Sequence, residues 1–260
     1  MNIIKQFIRS IYSPKDIATF RQQGIGKTIG YVFFLTFLSI IPTIFFLSTS
    51  VFNGVQSMES TITDDLPEFE IANGTLQANE TAPITVENDG VTIIFDSNNI
   101  VKKDEILQTN DTIAILQDEL VFISGNNQQS YSYSMLGDIN IDKSTVIELI
   151  QAADSWLIIL ISIVAIVLYL FSVAMRLIEI SIIALLGIMI VRIVQKTLPY
   201  RYMWRIAAYS ITLSTVFFII MDTLQTVVPN GALINWLISI IILMLAIKEI
   251  PHQKKEIPEQ

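Results

Sequence analysis

Four long apolar runs dominate the chain. The first reads TIGYVFFLTFLSIIPTIFFLSTSVF from Thr28 to Phe52 without a charged residue, and at ~1.5 Å rise per residue such a helix crosses a ~30 Å hydrocarbon core. It is too long, and starts too far into the chain, for the apolar stretch of a cleaved signal peptide, so it is expected to remain as an anchor. Pro42 lies within it; membrane helices tolerate proline where a neighbour or a nearby hydroxyl such as Ser39 satisfies the freed backbone group. The second run, Trp156 to Val194, is broken only by Arg176, Glu179 and Arg192. Its length fits one overlong helix, a span plus a re-entrant piece, or two spans. Ile206 to Met221 and Ala232 to Ile247 complete the set.

Between the first two runs the period changes. Phe69 to Ile71 precedes Asn73-Gly74, and Ile84 to Val86 precedes Asp89-Gly90 and VTIIF; these dipeptides supply the positive φ angles of tight hairpin turns. Thr112 to Leu116, Leu120 to Ser124 and Gln129 to Ser134 continue the pattern. The expectation is a small antiparallel meander of about five to seven strands. Ser144 is placed to cap a helix through VIELIQAAD into the second run. At the N-terminus, Ile3, Ile4, Phe7, Ile8 and Ile11 recur at helical spacing with Lys5, Gln6 and Arg9 turned away. Such a segment either lies in the inner membrane interface or packs on the spans. The organisation expected is 1–27 amphipathic N-terminal segment, 28–52 first transmembrane helix, 53–154 β-rich domain, 155–250 helical bundle and 251–260 tail.

Charge orients this layout. Of 24 acidic residues 18 lie between Asn53 and Asp154, with only three of the 16 basic ones, so that segment carries −15 and the remainder +7. The overall −8 therefore describes an acidic water-facing domain joined to spans with basic flanks, and it excludes nucleic acid as a natural partner. With four spans, Lys5, Arg9, Lys15, Arg21 and Lys27, then Arg192, Lys196, Arg201 and Arg205, then Lys248, Lys254 and Lys255 all face the cytoplasm, leaving only Lys102, Lys103 and Lys143 outside. Five spans would put two of those clusters outside, against the positive-inside rule. Four spans with the N-terminus inside are favoured, and five remain the alternative. The mean hydropathy of +0.57 makes lipid part of the solvent.

Candidate chemistry is sparse. The chain has no cysteine and its sole histidine, His252, lies in a polar tail, which removes thiol chemistry, histidine bases within the spans and His-rich metal sites. Gly24-Ile25-Gly26-Lys27-Thr28 resembles the end of a phosphate-binding loop, but Arg21 stands where a glycine is needed and the lysine opens a span. Asp138, Asn140 and Asp142 have the spacing of the first calcium-loop ligands, with Lys143 and Leu149 at the positions requiring glycine and glutamate. Asn73, Asn79 and Asn110 begin glycosylation-type tripeptides whose composition is equally that of turns. Arg176 and Glu179, three apart, form either a structural ion pair or, with Asp222, a polar site between helices. Arg201, Trp204 and Arg205 suit contact with anionic head groups at the inner interface or simple positioning of the helix. No catalytic, cofactor or metal residue is assigned, and the chain is read as non-enzymatic.

The opening IIKQFIRSIYSPKDIATFRQQGIGKTIGYVFFLTFLSIIPT, the segments LPEFEIANGTL and TIIFD, and LPYRYMWRIAAYSITL resemble a family of Gram-positive bacterial membrane proteins called domain of unknown function 1189. The likeness runs along almost the whole chain, and Ser13-Pro14-Lys15 and Tyr200 to Tyr209 are its distinctive parts. Some members carry the label of maltodextrin utilisation proteins, which implies an association with sugar uptake without naming a ligand residue. The helical part also looks distantly like Yip-type membrane proteins, an analogy that would imply five spans. The function expected is an accessory, sensory or regulatory protein of the bacterial cytoplasmic membrane whose extracytoplasmic domain binds a membrane or cell-envelope partner or a ligand. A small transporter or transporter subunit, and assembly into a homo-oligomer, stand beside it.

Overall fold

The structure, a computed structural model, describes residues 2–79, 82–88, 90–101, 111–125, 127–137, 139–194 and 196–251. Glu80, Thr81, Asp89, Lys102, Lys103, Asn110, Asp138, His252, Lys254 and Lys255 from the sequence reading lie outside the described residues. The chain divides into two compact units, a helical one made of Met1–Phe46 and Ile163–Gln260, and a β-rich one made of Leu47–Ser162.

Helices α1 (Ile3–Tyr12) and α2 (Pro14–Phe20) precede the long α3 (Ile25–Ser60). After the β-rich segment come α4 (Lys143–Ile193), α5 (Tyr200–Ser210), α6 (Thr212–Thr223) and α7 (Gly231–Lys248). Among the described residues four stretches are long and apolar enough to cross a membrane: Ile25–Asp65, Trp156–Ile193, Tyr200–Thr223 and Gly231–Lys248. The second apolar run is therefore one unbroken helix, with neither a hairpin nor a re-entrant piece between Leu177 and Val191. Its 51 residues, at ~1.5 Å each, far exceed a bilayer; towards its C-terminus one face, with Ile180, Ile183, Ala184 and Val191, is buried, while Ile182, Leu185, Met189 and Ile193 are exposed. α5 and α6 meet at Ile211, where the hydroxyls of Thr212, Ser214 and Thr215 donate to the Tyr209 and Ile211 carbonyls and compete with the regular ladder.

The helical unit is layered along its helices. At one end, Lys196 Nζ donates to the Ile247, Lys248 and Ile250 carbonyls at 3.0, 2.8 and 2.6 Å, capping the C-terminus of α7 with a cation, and Arg205 Nη1 donates to the Arg21 carbonyl at 2.9 Å. The start of α3, the end of α4, the start of α5 and the end of α7 thus converge, and they bring Arg21, Lys27, Arg192, Lys196, Arg201, Arg205 and Lys248 to one end.

Next comes an apolar core with a polar seam. Ile17, Phe20, Leu35, Ile183, Met203, Ile206 and Leu243 share one buried cluster. Within it Tyr209 Oη donates to Gln6 Oε1 (2.9 Å), Gln6 Nε2 donates to Gln23 Oε1 (3.0 Å), and Tyr31 Oη and Thr212 Oγ1 are 2.6 Å apart. The ring centroids of Tyr31 and Phe20 lie 4.3 and 4.8 Å from that of Tyr209. This arrangement corrects the N-terminal reading: Gln6 and Ser10 point inward with Ile3 and Phe7, while Ile4 and Ile8 are exposed, because the seam rewards a buried amide. Pro42 is absorbed without breaking α3, but Ser39 Oγ donates to the Thr36 carbonyl at 2.8 Å rather than to that of Leu38, the group proline leaves unpaired.

The β-rich unit also differs from expectation. Among the described residues eight strands form two sheets, β2-β1-β8 and β3-β4-β5-β6-β7, where a single meander is expected. Strands β1 (Phe69–Ala72) and β2 (Thr75–Ala78) pair through Asn73 and Gly74, at φ 53° and 78°. β3 (Ile84–Asn88) pairs antiparallel with β4 (Val91–Asp96), but β4 pairs parallel with β5 (Thr112–Leu116). The segment from Ser97 to Asp111 is longer than the dozen or so residues a parallel crossover needs, and that length is the overlooked signal. Its start is fixed by buried Asp96, whose carboxylate accepts from the backbone N–H of Asn98, Ile100 and Val101 at 3.0, 2.6 and 2.7 Å. β6 (Glu119–Ser124) and β7 (Asn127–Ser132) complete the larger sheet, and β8 (Ile141–Asp142) leads into α4.

Candidate functional site

Two regions gather polar groups around space: one in each unit. In the β-rich unit the C-terminal part of α3 lies over one face of the five-stranded sheet. Period-two alternation puts Ile93 and Phe95 of β4 on the face shared with Ile113 and Ile115 of β5, in register as Ile93 with Ile113 and Phe95 with Ile115. Between that face and α3 a cleft of about 500 Å³ is lined by Ser50, Asn53, Ser57 and Asn88 on its polar side and by Ile93 and Ile113 on its apolar side. Among the described residues no charged one lines it, although the surrounding segment carries −15.

The unit is braced where its two helices meet it. Lys143, the first residue of α4, is buried and donates to the Thr63 and Leu66 carbonyls at 3.0 and 2.7 Å, closing the π-helical turn Thr61–Asp65 that ends α3. Asp142 caps α4, its Oδ1 accepting from Thr145 N at 2.8 Å and from the Thr145 and Ser144 hydroxyls. Ser144 is therefore not the cap, because the helix begins at Lys143, two residues earlier than a Ser144 cap would start it. The Thr145 hydroxyl, followed by the Thr145 N–H and the Ser144 hydroxyl, holds the Asp142 carboxyl below the usual carboxylate range. A carboxylate whose Oδ1 is committed in this way acts as a helix cap.

The second region lies in the helical unit, beyond its apolar core. Arg176 Nη1 donates to Glu179 Oε2 at 2.8 Å, and Asn235 Nδ2 of α7 donates to Glu179 Oε1 at 2.5 Å. Spacing along α4 identifies the ion pair; Asn235 carries no signal of its own in an otherwise apolar run. Arg176 and Asp222 line one cavity of about 300 Å³ together with Ser39, Thr215, Phe218 and Asn235. A neighbouring cavity of about 430 Å³ shares Ser39, Arg176 and Asn235 and adds Glu179. The three charged residues singled out along the sequence thus come from α4 and α6 to adjoining cavities.

The remaining sequence candidates are at the basic end. Arg201 is exposed, with its guanidinium 4.8 Å from the Tyr202 ring centroid and Nη2 3.3 Å from Tyr202 Oη. Trp204 and Arg205 have partners inside the protein: Trp204 Nε1 donates to Ser181 Oγ at 3.2 Å, and Arg205 reaches the α2–α3 loop. Gly24 and Gly26 have open space where a Cβ would stand and form the opening turn of α3, with Gly24 O accepting from Lys27 N at 3.1 Å. Among the described residues no group of three or more His, Cys, Asp or Glu side chains is arranged to hold a metal ion.

A family profile described as "Protein of unknown function (DUF1189)" matches residues 4–247. The chain belongs to the DUF1189 family. The DUF1189 match covers both units and every candidate named above, but it assigns no activity, and it carries neither the maltodextrin label nor the Yip-type analogy. No curated protein and no solved structure matches the chain. Within DUF1189 likeness, the distinctive Tyr200 to Tyr209 segment has a structural meaning here: it is α5, whose Met203, Ile206 and Tyr209 fill the buried core.

Proposed function

We propose that this DUF1189 protein is a non-enzymatic accessory protein of the bacterial cytoplasmic membrane, sensory or regulatory in role. Its β-rich unit faces outward and binds a ligand or a membrane or envelope protein. The observation that carries the reading is the cleft over the sheet: one wall is Ser50, Asn53 and Ser57 of α3, and the same helix continues without a break to Ile25 in the helical unit. Whatever fills the cleft touches an element that enters the bilayer. The basic cluster at one end of the helical unit supports a cytoplasmic N-terminus.

Full-length protein extracted in mild detergent tests this, with and without Ile113→Trp, which fills the cleft. A membrane or envelope protein that co-purifies with the parent and is lost from an equally stable variant supports the proposal. Identical co-purification, or none with either, overturns it.

A second reading, a transporter subunit, is favoured by the meeting of Arg176, Glu179 and Asp222 at adjoining cavities. Flux through reconstituted vesicles that survives neutralisation of all three, or no flux in the parent, removes it. Against a through-path stands the apolar layer of Ile183, Met203, Ile206 and Leu243, fully buried between the cavities and the basic end.

A further inference from the structure

The charged cavity of the helical unit has a chemical bias that its residue list alone does not reveal. Its two hydroxyl donors and one N–H of Asn235 are already committed inside the protein, and Glu179 holds the Arg176 Nη1. Ser39 Oγ donates to Thr36 O at 2.8 Å, Thr215 Oγ1 to Ile211 O at 2.8 Å, and Asn235 Nδ2 to Glu179 Oε1 at 2.5 Å. What the hydroxyls still offer the cavity is oxygen lone pairs, and Asn235 adds its amide carbonyl beside its second N–H.

Charge follows the same direction. Glu179 neutralises Arg176 at 2.8 Å, whereas Asp222 lines the cavity with no ion pair among the described residues. The trio sums to −1, and that charge rests on Asp222. The partial positive charge at the start of α7, where Gly231 lines the same cavity, is countered by the end of α6, which carries Asp222 in its last turn.

The walls decide the kind of cation. At about 300 Å³ the cavity is far larger than a bare metal ion, and Phe218, Ile219 and Ala232 contribute apolar surface. An aromatic ring beside a carboxylate suits an ammonium that carries carbon. We propose that this cavity binds a small alkylammonium group, with Asp222 as its counter-ion, Phe218 as a π face, and Ser39, Thr215 and Asn235 as acceptors. The source of that group is either a water-borne amine or the ammonium head of a lipid.

The test uses full-length protein in nanodiscs of phosphatidylglycerol, with its thermal midpoint followed against ethylammonium chloride, sodium chloride and sodium acetate at equal ionic strength. A saturable rise with ethylammonium alone is expected. Asp222→Asn should raise the half-saturating concentration by about tenfold, and Phe218→Leu by about threefold. Should Asp222→Asn fail to fold, Thr215→Val and Phe218→Leu carry the test, each weakening the response. Equal responses to the sodium salts, or an unchanged half-saturation in the variants that fold, overturn the proposal. Replacing half the lipid by phosphatidylethanolamine identifies the source: a higher half-saturation means that lipid ammonium competes for the site, and an unchanged one means a water-borne amine.

Discussion

Gly187 shows how a residue with no side chain controls packing. A Cβ at this position of α4 would stand 2.6 Å from Met203 Sδ and 3.0 Å from Leu243 Cδ2, and both neighbours are fully buried. The glycine lets α4 approach α5 and α7 in the core. Gly187→Val is expected to destabilise the protein by about 1–3 kcal/mol through overpacking, read as a lower thermal midpoint in detergent. Met203→Ala in the same chain should restore part of the loss, since the two sites share one volume; additive losses would place the strain elsewhere. Sequence reading reaches residues of this kind only where spacing within one element speaks. Arg176 and Glu179 are legible from their separation of three, but Gly187 against Met203 and Asn235 against Glu179 join different helices, and neither has a local signature.

At the scale of elements, legibility follows the range of the forces. The Asn73-Gly74 hairpin and the four apolar stretches are dictated locally, by positive φ and by hydropathy, and they stand where the sequence puts them. The parallel pairing of β4 with β5 is set by a crossover, and the inward turn of Gln6 by tertiary partners; binary patterning cannot read either. The start of α4 lies between these cases, since Asp142 and Ser144 are both natural caps and only the structure distinguishes them. Asp142→Ala should release the Thr145 N–H and speed hydrogen exchange in the first turn of α4 at pH 7, followed by mass spectrometry on the full chain. The pH dependence has a fixed sign. Because the folded Asp142 carboxyl is held below its ordinary value, its contribution is complete above the ordinary carboxylate pKa of about 3.9, and it is lost as pH falls through the lower folded value. First-turn protection in the parent should therefore hold from neutrality to about pH 4 and decline below it, while Asp142→Ala shows no such decline. Equal acid limbs would mean that another group caps the helix.

For the whole molecule, the decisive property is that charge, core and cavities succeed one another in the same order along every long helix of the helical unit. On α3 the core residues Tyr31 and Leu35 precede the cavity residue Ser39, and on α4 the cavity residue Arg176 precedes the core residues Ile183 and Val191. α5 and α6 run from Met203 in the core to Asp222 at the cavity, and α7 runs from Asn235 at the cavity to Ala246 in the core. Directions alternate, and all four basic flanks fall together, which is the arrangement the positive-inside rule favours for four spans and disfavours for five. The chain contains no cysteine, so single cysteines report topology without background. Ser60→Cys, at the far end of α3, should react with an impermeant thiol reagent on intact cells, and Thr197→Cys, between α4 and α5, only after permeabilisation. Ser60 is 35 residues beyond Ile25 on a continuous helix, roughly 50 Å at ~1.5 Å per residue and more than the hydrocarbon core requires. Labelling of Thr197→Cys on intact cells would put the Lys196, Arg201 and Arg205 cluster outside and invert the orientation on which an outward-facing β-rich unit depends. Labelling confined to Ser60→Cys would instead put the cleft on the outer face, within reach of an envelope partner.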